Sequence, residues 1–361
     1  MATEIPRVKK PMNRTAIFIP ASGVPELITQ SASYVPTGTQ VLVRVKYSAV
    51  NPADLRHFYM GMHSYVAGYE WLGVVEAAGP HASFAVGDTL FGLTEISHRR
   101  PVELGAHQDL LLTETGPGTA TYKVPDGVER NDEWLRQLVA WPVAFMAASD
   151  ALLHNLFQML IYDDQWGGSS AVGLSAIYLA SKAGFGPIYT TASPKNHEAL
   201  LALGATRCFD YRSPTVVDEI RAAVATESGR KLAVVFDAVA TGTGFGEPAK
   251  EGVAINLEKS SPALAARCVS DGVAKFCATL PLPHDPRWTF CLSRRGPEES
   301  EYDRRNEASV AWALDQLASS GSSFRMPKIN VVKGAEAGIQ AIHDVFEGRI
   351  SMEKYVIEHP M

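Results

Sequence analysis

The chain contains little cysteine. Its 361 residues include four, Cys208, Cys268, Cys277 and Cys291, and no two of them form a C-x-x-C pair. So sparse a set argues against a disulfide framework and indicates free thiols in a reducing compartment. The hydrophobic share of 46% and the charged share of 20% are ordinary for a globular protein, and the length favours two domains.

Long apolar runs and dense basic runs are also missing. No stretch approaches the roughly 20 apolar residues that a transmembrane helix needs, and Met1–Pro6 lacks the apolar core of a signal peptide. We therefore expect a cytoplasmic protein. The net charge is -6, and the adjacent arginines Arg99-Arg100 and Arg304-Arg305 are isolated pairs. Because nothing favours nucleic acid or an anionic membrane as partner, any phosphate site has to be local.

Short strands separated by Gly, Pro and Asp turns dominate the first third of the chain. The predicted strands are Val41–Tyr47, Leu72–Ala78, Thr89–Leu93 and Gln108–Thr113. Their spacing is typical of a compact, partly closed β-barrel. The long apolar stretch that follows, Glu133–Leu156, suits one or two helices.

Strands alternate with helices in the middle of the chain. The predicted strands there are Phe157–Tyr162, Pro187–Thr191, Ala205–Asp210 and Leu232–Asp237. This alternation predicts right-handed βαβ units and a parallel sheet. A strand within Gly348–Glu358 is expected to return to the first domain, and Pro281–Ser300 is expected to be a long loop. The predicted division is 1–150, 151–300 and 301–361, with the nucleotide-binding part in the middle.

The sequence Trp166-Gly-Gly-Ser-Ser-Ala-Val-Gly173 predicts a phosphate-binding loop between a strand and a helix. Small residues let the backbone approach a pyrophosphate, and the helix start provides N–H groups and positive potential. Gly168 holds a tight position, and backbone amides are presented by Ser169, Ser170, Ala171 and Val172. A plain turn between strand and helix can have the same composition, so the loop alone decides little.

The end of the next strand favours a phosphorylated ribose. NAD-binding sites place an acid there for the ribose 2′-hydroxyl, whereas this chain has Ala192-Ser193-Pro194-Lys195-Asn196. The hydroxyl of Ser193 and the cation of Lys195 suit a 2′-phosphate. Tyr211 and its neighbour Arg212 are placed to close the adenosine side. The predicted cofactor is NADP(H).

Taken together, these residues resemble the medium-chain dehydrogenase/reductase superfamily. The closest likeness is to its zinc-free quinone- and enoyl-reductase branch, and within it to the trans-acting enoyl reductases of fungal polyketide biosynthesis. The resemblance covers nearly the whole chain. The segments that carry it are Val45–Asp54, Ala67–Val75, Val86–Gly92, Trp166–Gly173, Leu203–Tyr211 and Ile350–Lys354.

The resemblance implies an α/β fold in which a Rossmann-type, doubly wound parallel sheet is inserted into a GroES-like β-barrel catalytic domain. It also implies roles for particular residues. Asn51 would lie beside the nicotinamide ribose or amide, and Lys354 would face the cofactor or substrate. Tyr47 joins these two as a catalytic candidate. The other residues expected at the cofactor are Val143, Asn196, Ala278 and Leu280.

The resemblance also implies that no metal takes part. Zinc-dependent members carry Gly-His-Glu where this chain has Gly68-Tyr69-Glu70, so a ligand of a catalytic zinc is replaced by Tyr69. Two other positions depart from the family pattern. Tyr162–Gln165 reads as an insertion of about four residues ahead of Trp166, and Met146 stands where a threonine is often found.

The function expected from these features is NADPH-dependent reduction of an activated C=C bond in a polyketide-like intermediate. The substrate would be a hydrophobic small molecule, free or tethered to a carrier domain of a polyketide synthase that acts in trans. Two alternatives remain open at this point. One is a quinone or carbonyl reductase for a small free substrate. The other is a non-redox protein that binds a hydrophobic metabolite and directs its cyclisation, which the apparent insertion and Met146 would favour.

Overall fold

The computed structural model describes residues 14–30, 33–96, 100–126, 131–155, 163–226, 232–248, 254–269, 274–294, 308–316 and 324–361. Of residues 153–155 and 163–165 the backbone alone is described.

Antiparallel strands build the first part of the chain. They are β1 (Arg14–Ile19), β2 (Glu26–Gln30), β3 (Gln40–Ala49), β4 (Tyr65–Val66), β5 (Glu70–Ala78), β6 (Thr89–Leu93), β7 (Leu110–Glu114) and β8 (Thr121–Lys123). β3 pairs with both β5 and β7, and β1 forms a smaller sheet with β2 and β4. Alternating apolar residues of β3, such as Val41, Val43 and Val45, are buried against the other strands.

The last strands of the chain join this first sheet. β15 (Lys328–Lys333) runs parallel to β16 (Glu353–Glu358), and β16 pairs antiparallel with β3 in the register Val356 with Ala49. The sheet order is therefore β15-β16-β3-β5-β6-β8. The predicted return of the tail is seen as a direct strand pairing, which brings the end of the chain next to the residues after β3.

A parallel six-stranded sheet forms the second part. Its strands are β9 (Asp163–Trp166), β10 (Ile188–Thr191), β11 (Arg207–Phe209), β12 (Val234–Asp237), β13 (Lys275–Ala278) and β14 (Trp288–Phe290). Their order is β11-β10-β9-β12-β13-β14. The chain moves to one side of β9 and then to the other, so a topological switch point lies at the carboxyl end of β9. Together with the barrel, this topology confirms the predicted fold class.

Two expectations about this sheet require correction. Asp163–Trp166 is not an insertion before the glycine loop, because these residues are the central strand and pair in register with β10 and β12. Two aspartates and a glutamine have low strand propensity, and the sheet overrides it. The strand expected over Phe157–Tyr162 lies outside the described residues. The expected long loop Pro281–Ser300 contains β14, whose Trp288 is buried against Phe276.

Helices cover the sheets and connect the two parts. They are α1 (Ala53–Tyr59), α2 (Asp132–Val139), α3 (Pro142–Ser149), α4 (Ala171–Lys182), α5 (His197–Leu203), α6 (Val216–Thr226), α7 (Ser261–Arg267), α8 (residues 308–316) and α9 (Ala335–Phe346). A π-helical turn, Asp150–Asn155, follows α3.

An aromatic cluster lies where α3, α4 and α8 meet. The ring centroids of Trp141 and Phe145 are 5.0 Å apart, and those of Tyr178 and Phe324 are 4.8 Å apart. Trp312 stacks on Phe145 at 6.1 Å. These separations are those at which aromatic pairs attract each other. The cluster joins helices of the barrel part to α4, the helix that begins at the glycine loop.

Candidate active site

The glycine loop lies at the carboxyl end of β9 and has no room for side chains. A Cβ atom on Gly173 would lie 2.3 Å from the carbonyl oxygen of Gly167, and one on Gly168 would lie 2.1 Å from Oγ1 of Thr190. Gly167 itself has φ of +88°, which favours glycine. The close packing of strand, turn and helix therefore depends on these glycines, as the phosphate-loop prediction requires.

Ser170 caps the helix that starts at this loop. Its Oγ accepts a hydrogen bond of 3.0 Å from the amide of Gly173, and Ala171 is the first residue of α4. Ser169, Ser170, Ala171 and Val172 are all partly exposed. A cap of this kind contributes about 1 kcal/mol to the helix and leaves the remaining first-turn amides available to a ligand.

The expected adenosine side is formed by the ends of two neighbouring strands. β10 pairs in parallel with β11, so the residues that follow Thr191 and Phe209 lie at the same edge of the sheet. Ser193 is partly exposed and Lys195 is exposed there. Tyr211 is 44% exposed, and the guanidinium of Arg212 lies 5.0 Å from its ring centroid. Two cations and an exposed ring thus flank the loop on this side.

The expected nicotinamide side lies across β9. Ala278 ends β13 and is buried, and Leu280 follows it with little exposure. Between them and the loop stands Asp237, the buried last residue of β12, whose carboxylate accepts hydrogen bonds from the amides of Val239 and Ala240 and from Oγ of Ser261. Burial raises the pKa of Asp237 to about 6.

Three adjacent strands of the barrel bring Lys354, Asn51 and Glu70 together. Nζ of Lys354 donates to Oδ1 of Asn51 at 2.6 Å and lies 2.7 Å from Oε1 of Glu70. Nδ2 of Asn51 donates to the same Oε1 at 2.9 Å. Oε2 of Glu70 accepts from the backbone amide of Val143 at 2.7 Å. The cluster is buried and charge-balanced, and two of its three residues, Lys354 and Asn51, are predicted site residues.

A short stretch of the tail connects this cluster to the glycine loop. The amide of Met352 donates to the carbonyl of Ser169 at 3.0 Å, and Nδ2 of Asn196 donates to Oγ of Ser351 at 2.8 Å. Lys354 follows two residues later on β16. The structure therefore places the ammonium group two residues from a contact with the predicted phosphate loop.

The family of the chain follows from comparison with known proteins. The alcohol dehydrogenase GroES-like domain family matches residues 37–121. A dehydrogenase of Aspergillus niger is 30% identical over 356 residues, which cover 92% of this chain and 96% of the relative. The chain belongs to the medium-chain dehydrogenase/reductase superfamily. The expectation of an oxidoreductase-type protein is thereby confirmed at the level of the family.

Trans-enoyl reductases are also among the proteins similar to this chain. A trans-enoyl reductase of a Fusarium species is 31% identical over 205 residues, 51% of this chain and 54% of the relative, so this match spans about half of that protein. A trans-enoyl reductase of Alternaria alternata is 25% identical over 345 residues, 88% of the chain and 90% of the relative.

Solved structures show the same fold. A quinone oxidoreductase of Pseudomonas syringae superposes with a TM-score of 0.71 at 18% identity, covering 96% of this chain and all of the other. A mycobacterial protein complexed with NADPH has a TM-score of 0.66 at 19% identity, with the same coverage. At these identities the likeness establishes the architecture alone.

Two residues singled out in the sequence, Tyr47 and Met146, lie outside the Lys354–Asn51–Glu70 cluster. Tyr47 is buried on β3, and its hydroxyl interacts with Asp132 and Arg136 of α2 rather than with Asn51. The guanidinium of Arg136 lies 5.3 Å from the Tyr47 ring. The structure thus gives Tyr47 a contact with α2. Met146, which replaces the frequent threonine, is buried in the core on α3.

Tyr69 stands where zinc-dependent members of the superfamily carry histidine. Its hydroxyl lies 2.5 Å from Nδ1 of His57 on α1, and the guanidinium carbon of Arg100 lies 4.2 Å from its ring centroid. Throughout the described part of the chain, no three His, Cys, Asp or Glu side chains are grouped as metal ligands would be. Nor does any helix in that part have the length and apolarity to cross a bilayer.

A buried row of hydrogen bonds fixes α1 to the barrel. Asp54 accepts from the amide of Asn51 at 2.7 Å and contacts Nε2 of His107 at 3.1 Å. Nδ1 of His107 contacts Oγ of Ser48, which also contacts Nε2 of His359, each at 2.9 Å. Because Asp54 holds the backbone of Asn51, this row sets the position of the Asn51 side chain.

Sequence reasoning missed two carboxylates of the site. Glu70 entered only as part of the Gly-Tyr-Glu motif, although an acid at the start of the buried apolar strand Trp71–Val75 indicates an internal counter-ion. Asp237 ends the apolar strand Val234–Asp237 at the carboxyl edge of the sheet, where ligand-binding residues collect.

Proposed function

We propose that this chain is an NADPH-dependent, zinc-independent reductase that transfers hydride to an activated C=C bond. The observation that carries the proposal is the tail segment Ser351–Lys354. The amide of Met352 in this segment bonds to the carbonyl of Ser169 in the glycine loop, and Lys354 of the buried Lys354–Asn51–Glu70 cluster follows two residues later. A hydride donor held by that loop would meet the cluster across the space between the two parts of the molecule.

The residues present fit a phosphorylated dinucleotide. The loop excludes side chains at Gly168 and Gly173, and the capped start of α4 offers amides to a pyrophosphate. No acid follows β10, and Ser193 and Lys195 suit a 2′-phosphate. Tyr211 would cover the adenosine side. Asn196, Val143, Ala278 and Leu280 would bound the cofactor along the rest of the cleft. NADPH, when bound, supplies the hydride.

Lys354 is proposed to act on the substrate carbonyl, and Asn51 is proposed to hold the ammonium group of Lys354 in place. As the C=C bond is reduced, negative charge develops on the carbonyl oxygen that activates it. Buried, preoriented donors stabilise such charge better than water does, because they need no reorganisation. Glu70 holds the ammonium of Lys354 and the amide of Asn51 in fixed positions. Tyr69, in place of a metal-binding histidine, is consistent with a reaction that needs no metal.

The substrate is proposed to be a hydrophobic enone or enoyl thioester of polyketide type, which a polyketide synthase partner presents on a carrier domain. The trans-enoyl reductases among the relatives support this class. The non-redox alternative loses one of its two supports, because the apparent insertion before Trp166 is the central strand β9. Reduction of a free quinone or carbonyl compound is the alternative that the test has to separate.

The test is a fluorescence titration of the purified protein with NADPH and NADH, followed by addition of an α,β-unsaturated thioester or a quinone. Selective binding of NADPH and its consumption with the thioester are expected. Consumption with the quinone alone would favour the quinone reductase. Tight NADPH binding without turnover on any acceptor would overturn the proposed reductase activity and support a binding protein.

A further inference from the structure

Arg56 is a cation in the space between the two parts of the molecule, outside the Lys354–Asn51–Glu70 cluster. It belongs to α1 of the barrel part, whereas Gly246 belongs to the loop that follows β12 in the nucleotide part. A Cβ atom on Gly246 would lie 2.6 Å from Cγ of Arg56, 3.1 Å from its Cδ and 3.4 Å from Cγ of Met60, one turn later on α1. The stem of the arginine is therefore packed between the helix and the loop, which limits where its guanidinium can lie.

The guanidinium of Arg56 has no hydrogen-bond partner within the part of the chain that the structure describes. Its Nε is buried and unbonded there, and no carboxylate among the described residues forms an ion pair with it. A charged donor that is shielded from water and left unbonded destabilises a fold, so buried arginines normally have acceptors. The arrangement therefore indicates an acceptor that arrives with a ligand.

Two carboxylates face the guanidinium at longer range. Burial lowers the pKa of Arg56, and the negative charges of Glu247 and Asp237 oppose that effect. Glu247 follows Gly246 in the loop, and Asp237 is the last residue of β12. Because these acids offset the charge of the arginine, the surroundings do not favour a further anion. A neutral carbonyl oxygen, which accepts hydrogen bonds without adding charge, is the ligand group that fits.

The position of Arg56 relates it to both halves of the proposed site. The loop after β12 contacts the glycine loop, since a Cβ atom on Gly167 would lie 2.6 Å from Cγ1 of Val239. On the barrel side, α1 begins two residues after Asn51, and Arg56 is its fourth residue. At about 1.5 Å per helical residue, Arg56 is displaced by several ångströms from Asn51 and thus from the place where Lys354 would meet the substrate.

From these contacts we propose that Arg56 selects substrates that carry a second carbonyl oxygen, on the chain beyond the C=C bond. The inference rests on the proposed function and names the substrate class of that same site. The guanidinium donates hydrogen bonds to the second oxygen, while Lys354 meets the carbonyl that activates the double bond. The acceptor is therefore an oxygenated chain of polyketide type rather than a plain alkyl chain.

The size of the preference follows from the exposure of Arg56. A plain alkyl chain would cover the guanidinium without offering an acceptor, and sites built to bond an oxygen discriminate strongly against the analogue that lacks it. Arg56 is partly exposed, so water replaces some of the missing bonds. A hydrogen bond to a charged donor in such a place corresponds to a preference of about 10- to 100-fold in kcat/KM.

The first experiment measures NADPH consumption with α,β-unsaturated thioesters of equal chain length. One has a plain alkyl chain, and the others carry a ketone at successive positions beyond the double bond. Wild type should prefer at least one of the ketones over the plain chain by about 10- to 100-fold in kcat/KM. Arg56→Met keeps a stem against Gly246 but has no donors, so its ratio should fall to about one. Because each ratio is taken within one protein, differences in the folded fraction cancel.

Arg221→Met is the matched control, since it removes an exposed arginine of α6, and it should keep the wild-type ratio. Arg56→Lys keeps the charge but loses the fork of donors, so part of the preference should remain. An Arg56→Met ratio within about threefold of the wild-type ratio would overturn the inference. So would a wild type that prefers none of the ketones.

A second experiment needs no turnover and separates this inference from the proposed reductase activity. The preferred ketone-bearing thioester and its plain counterpart, both saturated, are titrated into the protein, and their Kd values are measured by calorimetry. Wild type should bind the ketone at least about tenfold more tightly, and Arg56→Met should bind the two alike. That result in a protein that never consumes NADPH would support the role of Arg56 and count against the reductase alone. Equal binding of the two compounds by wild type would overturn the inference, even if NADPH is consumed.

Discussion

The ammonium nitrogen of Lys354 lies 2.7 Å from Oε1 of Glu70, with side-chain exposures of 4% and 0%. The two residues are far apart in the chain, on β16 and β5, and Asn51 after β3 bridges them. In such an enclosed place each charge depends on the other, because removing one partner leaves an uncompensated buried ion. This ion pair therefore links the tail to the barrel, and substitutions in it test both the stability of the fold and the proposed site.

Replacing Lys354 by methionine should lower the free energy of unfolding by about 3–5 kcal/mol, because Glu70 stays buried without its cation. Adding Glu70→Gln to that variant should recover much of the loss, since the charge itself is removed. Urea unfolding of the single and double variants measures the coupling. Lys328→Met is the control: Lys328 contacts Glu353 at 2.7 Å on the exposed side of β15 and should change stability by less than about 1 kcal/mol. Equal effects at the two sites would contradict this prediction.

Gly173→Ala should weaken NADPH binding at least tenfold. Its Cβ would lie 2.3 Å from the carbonyl oxygen of Gly167, which is backbone and cannot rotate away, so the loop must shift. Fluorescence titration measures the affinity. Gly186→Ala, whose added methyl group would meet no atom within 4 Å, is the comparison. Wild-type affinity in the Gly173 variant would mean that this loop does not hold the pyrophosphate.

Lys195→Ala should lower the affinity for NADPH about tenfold, or about 1.4 kcal/mol, and leave the affinity for NADH unchanged. The reason is that only NADPH carries the 2′-phosphate that the exposed ammonium would meet. Lys333→Ala, which removes an exposed cation on β15, provides the control. A parallel loss for both nucleotides would place Lys195 elsewhere on the cofactor.

Asp237 makes the stability of the fold depend on pH. Its pKa rises from 3.8 to about 6 in the folded chain, a difference of about 2 units or about 3 kcal/mol. The folded state binds this proton more tightly than the unfolded state does. The contribution of Asp237 to the free energy of unfolding is therefore complete below pH 4 and is lost as the pH rises through 6. Asp237→Asn does not ionise and can keep the bonds to Val239, Ala240 and Ser261.

Relative to wild type, the Asp237→Asn protein should therefore gain about 3 kcal/mol of stability between pH 4 and pH 7. Urea unfolding of both proteins at the two pH values gives the difference, and contributions from other groups cancel. If the difference in free energy of unfolding between the two proteins stayed constant across this range, the pKa of Asp237 would be the same in the folded and unfolded chains.

Much of the architecture could be predicted from the sequence because apolar periodicity and turn residues agree with the fold in most elements. β6 begins and ends where the pattern predicts, at Thr89–Leu93. The prediction of an insertion at the position of β9 was wrong for a physical reason. Asp163, Asp164 and Gln165 are poor strand formers, and their pairing on both sides is decided by neighbouring strands that a local pattern cannot represent.

The positions of the loop glycines could be predicted because only glycine fits them: Gly168 and Gly173 leave no room for a side chain. The family likeness puts Lys354 and Asn51 each at the cofactor or substrate, and the contact between the two residues is seen only in the structure. Glu70 could not be assigned as the counter-ion of Lys354, because that pairing depends on the register of β16, β3 and β5. Tyr47 shows the reverse: its sequence position suggested the site, but its hydroxyl interacts with α2.

The bond from the amide of Met352 to the carbonyl of Ser169 has a consequence for recombination within the superfamily. The loop that opens α4 belongs to one part of the molecule, but part of its support is supplied from the tail of the other. A chimera in which only the parallel-sheet part is exchanged would combine the glycine loop of one protein with the tail segment of another. Chimeras between relatives should therefore fold more often when residues 350–354 come from the same parent as the glycine loop. Substitutions in the loop and in this tail segment should also be correlated in evolution.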